Sequence, residues 1–202
     1  MNPATNSIES TVKPTADSAA QRAVAVYCAS SSSVPQIYLE AAHKMGELLA
    51  RGGYDLVCGG GYRGLMAASI DGALSAGGNA TGVLPRFMVD RGWAHPGLTR
   101  TIITETMHER KMTMAELSCA AIALPGGIGT LDELLEIMTW HQLHLYTGHV
   151  VIVNTDGYFA PLIEMFQRMK DQGFMRDGNI HATIAATPEE AMDIISQPQR
   201  ES

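Results

Sequence analysis

The residues best equipped for chemistry lie in two short stretches of the chain. One is Leu124-Pro125-Gly126-Gly127-Ile128-Gly129-Thr130-Leu131-Asp132-Glu133; the other is Met107-His108-Glu109-Arg110-Lys111. In the first, the apolar run Ala120-Ala121-Ile122-Ala123-Leu124 reads as a buried parallel strand, and Leu134-Leu135-Glu136-Ile137-Met138 reads as a helix. A strand, a glycine-rich turn and a helix in that order make an anion site. Glycine lets the backbone come close to a ligand, and the first helical N–H groups point at it with the positive end of the dipole behind them. Gly126, Gly127, Ile128, Gly129 and Thr130 are therefore expected to hold a phosphate. The same turn delivers two carboxylates, Asp132 and Glu133, into the start of the helix.

Both stretches also have ordinary readings. Thr130-Leu131-Asp132-Glu133 fits a capping box, in which Thr130 caps the helix and Glu133 reaches back to the Thr130 N–H. A phosphate at the same helix start would compete for those amides and leave Glu133 free to point into a cleft; the two readings stand side by side. Arg110 and Lys111 are adjacent in a chain with 14 Lys and Arg in all. Arg presents a fork suited to phosphate or carboxylate, and Lys adds a point charge. On a solvated helix face they would merely pair with Glu109. Gly59-Gly60-Gly61-Tyr62-Arg63-Gly64 matches GxGxxG between a strand and a helix. A dinucleotide site wants an acid about 20 residues on, at the end of the next strand. Leu84, Pro85 and Arg86 stand there instead, so the turn suits a mononucleotide better than a nicotinamide or flavin cofactor, a purely structural tight turn being the other reading, and no cofactor is expected. The seven histidines are scattered; His141 and His144 lack a supporting carboxylate motif, and no metal site is expected.

The elements that must position these residues alternate. Strands are expected over Ala23–Cys28, Leu56–Cys58, Ala80–Leu84, Thr101–Ile103, Ala120–Leu124, Val150–Val153 and, more weakly, Thr183–Ala186. Helices are expected over Ile37–Ala50, Leu65–Ser75, Met107–Leu117, Leu131–Leu143, Phe159–Gln172 and Pro188–Ile195. Short continuous apolar strands alternating with helices imply a doubly wound α/β fold, a mainly parallel Rossmann-like sheet covered on both faces. Such sheets bind ligands at the carboxyl ends of their strands. Those ends carry Ser30 to Ser33, Gly59 to Gly61, Pro85-Arg86, Glu105, Pro125 to Gly127 and Asn154 to Gly157, an edge rich in glycines and hydroxyls. Residues 1–21, rich in Ser, Thr, Pro and Ala, read as a disordered tail, 22–196 as one nucleotide-binding catalytic domain, and 197–202 as a second tail. The helix after Glu133 is apolar on more than one face, which suits a core and a subunit interface together; Trp140 on it could instead line a base or prenyl pocket.

The chain has 202 residues, a net charge of −7 and 46% hydrophobic residues. The charge argues against nucleic-acid and membrane-surface partners. Cys28, Cys58 and Cys119 sit in or beside apolar runs and read as small buried hydrophobes in a reducing compartment. No apolar run approaches the roughly 18 residues of a transmembrane helix, and residues 1–20 lack the features of a signal peptide. A cytoplasmic protein is expected.

Gly59-Gly60-Gly61 with Gly64-Leu65-Met66, then His95-Pro96-Gly97-Leu98, then MHERK (107–111) and PGGIGTLDE (125–133), closely resemble the LOG family, the cytokinin riboside 5′-monophosphate phosphoribohydrolases once labelled lysine decarboxylases. The likeness runs from about Ala23 to about Phe174. It implies hydrolysis of the N-glycosidic bond of a purine nucleoside 5′-monophosphate, with N6-modified or plain adenine as base, to free base and ribose 5-phosphate. It also implies a homodimer or larger assembly with the site near the subunit interface. Carried onto this chain, Arg110 and Glu133 are catalytic. Lys111 and Gly126 to Thr130 bind substrate, and Gly60, Gly61, Met107 and Asp132 complete the expected contacts. One departure is Phe87, where many plant members place an acid after the matching Pro-Arg.

The chemistry of that reaction passes through an oxocarbenium-like sugar. Glu133 would bond ribose hydroxyls, offset the developing charge and orient water, while Arg110 would anchor phosphate or substrate and keep Glu133 ionised. The alternative is a non-catalytic nucleotide sensor or carrier on the same fold, which gains little from an acid beside a phosphate. A pyridoxal-phosphate decarboxylase is disfavoured because no Schiff-base lysine stands out.

Overall fold

The computed structural model describes residues 22–175 and 179–198. The expected tails, apart from Gln197 and Pro198, lie outside the described residues. Seven parallel strands, β1 (Ala23–Tyr27), β2 (Asp55–Cys58), β3 (Ala80–Pro85), β4 (Arg100–Thr104), β5 (Ala120–Ala123), β6 (His149–Val153) and β7 (Thr183–Ala185), form one sheet in the order β4-β3-β2-β1-β5-β6-β7. Helices α1 (Gln36–Arg51), α2 (Gly64–Ser75), α3 (Arg86–Asp90), α4 (Met107–Glu116), α5 (Ile128–Gln142), α6 (Ala160–Asp171) and α7 (Pro188–Ser196) connect them, with a single 3₁₀ turn at Thr155–Gly157. This is the Rossmann-like α/β fold expected from the alternation.

β1 is the central strand. Its Val26 is in register with Cys58 of β2 on one side and Ile122 of β5 on the other. Strand order reverses there, and the crevice beyond the carboxyl ends of β1 and β5 is where a sheet of this kind takes its ligand. Side chains alternate across the strand. Val24 and Val26 join a core under α1, α2 and α7, while Ala25 and Tyr27 join a second core under α4, α5 and α6. With both faces covered, the inner strands β1, β2, β3, β5 and β6 have no polar side to advertise, which is why they read as apolar runs.

α1 and α2 approach closely because glycines face each other's backbone. A Cβ on Gly46 would strike the Ser69 carbonyl, and one on Gly72 would strike the His43 carbonyl. α2 carries Met66 and follows the Gly59–Arg63 turn, so this contact sets the height of that turn above the sheet.

Four details differ from the expectation. α5 begins at Ile128 instead of Leu131, because Pro125, Gly126 and Gly127 suffice for the turn and Gly127, in extended conformation, is the N-cap. The Thr130–Glu133 capping box is therefore absent: both residues lie inside the helix. A capping box does form at α4, where the Glu109 N–H donates to Thr106 Oγ1 (3.1 Å) and the Glu109 carboxylate accepts from the Thr106 N–H (3.3 Å) and the Glu105 N–H (2.8 Å). The short helix α3 was not expected, since Pro85 ends β3 and starts the helix at once. Finally, Cys28 and Cys58 are buried but Cys119 is exposed. No helix among the described residues is long and apolar enough to cross a membrane.

The close approach of α1 and α2 makes a prediction. Gly46→Ala should destabilise the protein by on the order of 3 kcal/mol through overpacking against a backbone that cannot rotate away. A lowered urea midpoint at unchanged m-value would report it; an unchanged midpoint would mean the helices can separate freely.

Candidate active site

The glycines of the Pro125–Gly129 turn have two different jobs. At Gly126 a Cβ would collide with the Thr130 side chain and lie 3.0 Å from the Ala29 backbone nitrogen. That turn is tied down on both sides: the Ala29 N–H donates to the Pro125 carbonyl (3.2 Å), and the Tyr158 hydroxyl donates to the Gly126 carbonyl (2.8 Å). Gly126 is thus required by packing. Gly127 and Gly129 are not, since an added Cβ would meet nothing within 4 Å at either. Neither has a positive φ, so the fold itself has no need of glycine there. Both border a cleft of about 580 Å³, a size suited to a small-molecule ligand. Missing side chains at these two positions leave room for something to approach the start of α5. Its first turn has no side-chain cap, which leaves N–H groups for an anion.

Arg110 and Glu133 meet on the floor of that cleft. The α4 capping box fixes where the helix starts and so directs Arg110 inward. Its Nε donates to the Val83 carbonyl (3.1 Å) and its Nη1 lies 3.0 Å from Glu133 Oε1, with the two side chains only 7% and 6% exposed. Gly59 makes room for the guanidinium: a Cβ there would occupy the position of Arg110 Nη2. Burial pushes the Glu133 carboxyl above its ordinary value, and Arg110, which opposes the shift, does not fully offset it. This corrects the expectation that Arg110 simply keeps Glu133 ionised. Desolvation of a nearly inaccessible acid outweighs one cationic neighbour.

The other expected residues divide. Gly61, Met107 and Thr130 border the cleft with Arg110, Glu133, Gly127 and Gly129. Gly60, Lys111, Gly126, Ile128 and Asp132 are not among the lining residues. Gly60 has a positive φ of 70° and its carbonyl accepts from the His95 N–H (2.8 Å), so it shapes the turn. Ile128 is 87% exposed. Lys111 bonds Asp132 (3.1 Å) and Glu136 (3.2 Å). Burial alone would pull its ammonium down, but the bonds to those two carboxylates outweigh it and hold the group above its usual value. Trp140 packs against the second core and does not reach the cleft.

Several lining residues carried no motif. Ser30 and Ser31 follow β1, on the edge where a ligand was expected. Met88 and Trp93 come from the segment between β3 and β4, where Trp93 is held by the Tyr62 N–H donating to its carbonyl (3.2 Å). His95, 3.3 Å from Asp71, anchors the same segment against α2. The guanidinium of Arg91 lies over both the Phe87 and Trp93 rings, at 5.6 and 5.2 Å. Only the aromatic character of Trp93 could have pointed to it. Met66, Leu84, Met88, Met107 and Trp93 make part of the cleft lining apolar. Among the described residues no group of three His, Cys, Asp or Glu is arranged to hold a metal; His141 Nδ1 lies 3.3 Å from His181 Nδ1.

A family model described as "Possible lysine decarboxylase" matches residues 66–195. A probable cytokinin riboside 5′-monophosphate phosphoribohydrolase of Oryza sativa subsp. japonica is 37% identical over 89% of this chain and 75% of its own length. The cytokinin riboside 5′-monophosphate phosphoribohydrolase of Rhodococcoides fascians is 38% identical over 76% of this chain and 78% of its own. Among solved structures, the molybdenum cofactor binding protein of Rippkaea orientalis superposes with a TM-score of 0.67 over 87% of this chain and 95% of that one, at 21% identity, a likeness of fold. On the strength of the matched family and of relatives aligned across most of its length, the chain belongs to the LOG family, a family of phosphoribohydrolases.

Proposed function

We propose that this protein hydrolyses the C1′–N9 bond of a purine nucleoside 5′-monophosphate, of adenosine or N6-modified adenosine type, to free base and ribose 5-phosphate. The observation that carries the proposal is the buried Arg110–Glu133 pair (3.0 Å) opening onto a cleft floored by an uncapped, glycine-bordered helix start. The 5′-phosphate sits on the N–H groups at Gly127 to Thr130, and this binding energy places the sugar over Glu133. As the C1′–N9 bond breaks, its electron pair leaves with the base, which takes up a proton from solvent, and the proton that water gives up returns to solvent through Glu133. Water adds to C1′ and gives a proton to the Glu133 carboxylate, which also offsets the cationic sugar. Arg110 orients that carboxylate through Nη1, and Trp93 and the methionines receive the base. Among the described residues no lysine lines the cleft, which speaks against Schiff-base chemistry despite the name of the family model. The exposed apolar residues Ile128, Leu135, Leu143 and Leu145, on or just beyond α5, support a homodimer with the site close to the interface, and a cytoplasmic enzyme fits this substrate class.

The direct test is incubation with AMP and with N6-isopentenyl-AMP, followed by chromatography for the free base. Release is expected from at least one, and Glu133→Gln should lower it by at least a hundredfold while ribose 5-phosphate still binds. Binding without release by the unaltered protein would favour a nucleotide sensor.

The raised Glu133 pKa sets the sign of a pH effect. The carboxylate is the working form, so kcat/KM should fall on the acid side around a pKa above the ordinary 4.5. Arg110→Met removes the cation that holds the acid down and should move this limb to higher pH, with Arg110→Lys between the two. A limb that stays in place in both variants would show that another group sets it.

The unneeded glycines supply a third test. Gly129→Ala should leave the melting temperature of the protein unchanged or slightly raised, since Ala favours a helix by about 1 kcal/mol. The same change should raise the KM for the nucleotide at least tenfold. An unaltered KM would remove Gly129 from the phosphate site.

A further inference from the structure

Charge bookkeeping in the cleft leaves one cation without a task. The side chains bordering it that carry charge are Arg63, Arg110 and Glu133. Arg110 is committed to Glu133, and Lys111, the other cation expected at the site, is committed to Asp132 and Glu136 outside the lining. A phosphate monoester brings close to two negative charges at neutral pH, into a chain whose own net charge is −7. Helix N–H groups alone would have to balance it.

Arg63 is placed to do so. It is exposed at the cleft, and among the described residues it makes no ion pair. Its guanidinium lies 4.8 Å from the centre of the Tyr62 ring, a cation–π contact that orders the fork without neutralising it. The neighbouring backbone fixes its position. Gly64 has a positive φ of 62°, and a Cβ there would collide with the backbone of Ser30 and Ser31. The Arg63–Gly64 turn is thereby pressed against the loop whose hydroxyls border the same cleft. Arg63, which follows β2, and Ser30 and Ser31, which follow β1, border the same cleft as Gly127 and Gly129, which follow β5 on the other side of β1.

We infer that Arg63 is the specificity-determining cation for the substrate's phosphate, so that it, and not Lys111, makes the enzyme prefer a nucleotide over a nucleoside. This rests on the hydrolase reading above for its substrate, and its test is built to separate the two. Steady-state kinetics with AMP or N6-isopentenyl-AMP and with the matching nucleosides would be run on the unaltered protein, Arg63→Ala and Arg63→Lys. Calorimetric titration of each with ribose 5-phosphate would accompany them. A charge-assisted hydrogen bond lost from the phosphate should raise the nucleotide KM about tenfold to a hundredfold, with kcat within about twofold and nucleoside turnover unchanged. Arg63→Lys should recover part of the loss, and ribose 5-phosphate affinity should fall in parallel. Equal losses for nucleotide and nucleoside, or an unchanged KM, would overturn the inference. If no base is released by any protein but ribose 5-phosphate binding still depends on Arg63, the hydrolase reading fails and this one stands. If the unaltered protein does not bind ribose 5-phosphate, both fall.

Discussion

The buried ion pair between Arg110 and Glu133 constrains everything around it. Taking two charges out of water is costly, and their attraction repays this only when the remaining hydrogen-bonding capacity is also met. Arg110 meets it through the Val83 carbonyl and Glu133. Val83 belongs to β3, Arg110 to α4 and Glu133 to α5, so the pair fixes three elements that are distant in sequence. It also demands an empty position beside it, which Gly59 at the end of β2 provides. Removing either partner would strand the other as an uncompensated buried charge. The pair is therefore weak evidence for stability and stronger evidence for chemistry, because the same volume filled by apolar side chains would hold the fold at least as well.

The glycines sort along the same line. Gly46 and Gly72 serve helix packing, Gly59 and Gly126 leave room for particular side chains, and Gly60 and Gly64 adopt backbone that other residues avoid. Gly127 and Gly129 satisfy none of these needs. A motif such as PGGxGT therefore mixes glycines that the fold requires with glycines that it does not, and only the surroundings of each Cα tell them apart. The same test applies to charge: Glu109 and Arg110 are neighbours in one motif, yet the first caps a helix and the second faces the cleft.

Much of this was legible in the chain. Strands buried on both faces announce themselves as apolar runs, and the switch point follows once β1 and β5 are placed, so the cleft edge was readable from Ser30, Gly59 and Gly126. The start of α5 was not, because Gly129 is a poor helix former by propensity and Thr130-Leu131-Asp132-Glu133 imitates a cap. Tertiary context decided it: with Pro125 and Gly126 held by Ala29 and Tyr158, the chain is already turned and the helix can begin at once. Trp93 and Met88 were illegible for another reason. They reach the cleft through a backbone pairing between Tyr62 and Trp93, a contact set by neither residue's type. The sign of the Glu133 shift was also beyond reach, since proximity to an arginine can be read from a motif but the extent of burial cannot.

Lys111 shows how far a motif can carry a residue's role. The resemblance made it a substrate contact, whereas its ammonium bridges Asp132 and Glu136. Those two acids sit one turn apart on the face of α5, so a single cation from α4 spans both. A bridge whose carboxylates still reach water contributes on the order of 1 kcal/mol, but its value here is geometric. α4 and α5 carry Arg110 and Glu133, and any sliding of one helix along the other would lengthen the contact between them. A bridge anchored one residue after Arg110 and one residue before Glu133 opposes that sliding at the point where it matters. The adjacent basic residues thus divide one task, Arg110 meeting the buried Glu133 and Lys111 holding the helix that presents it.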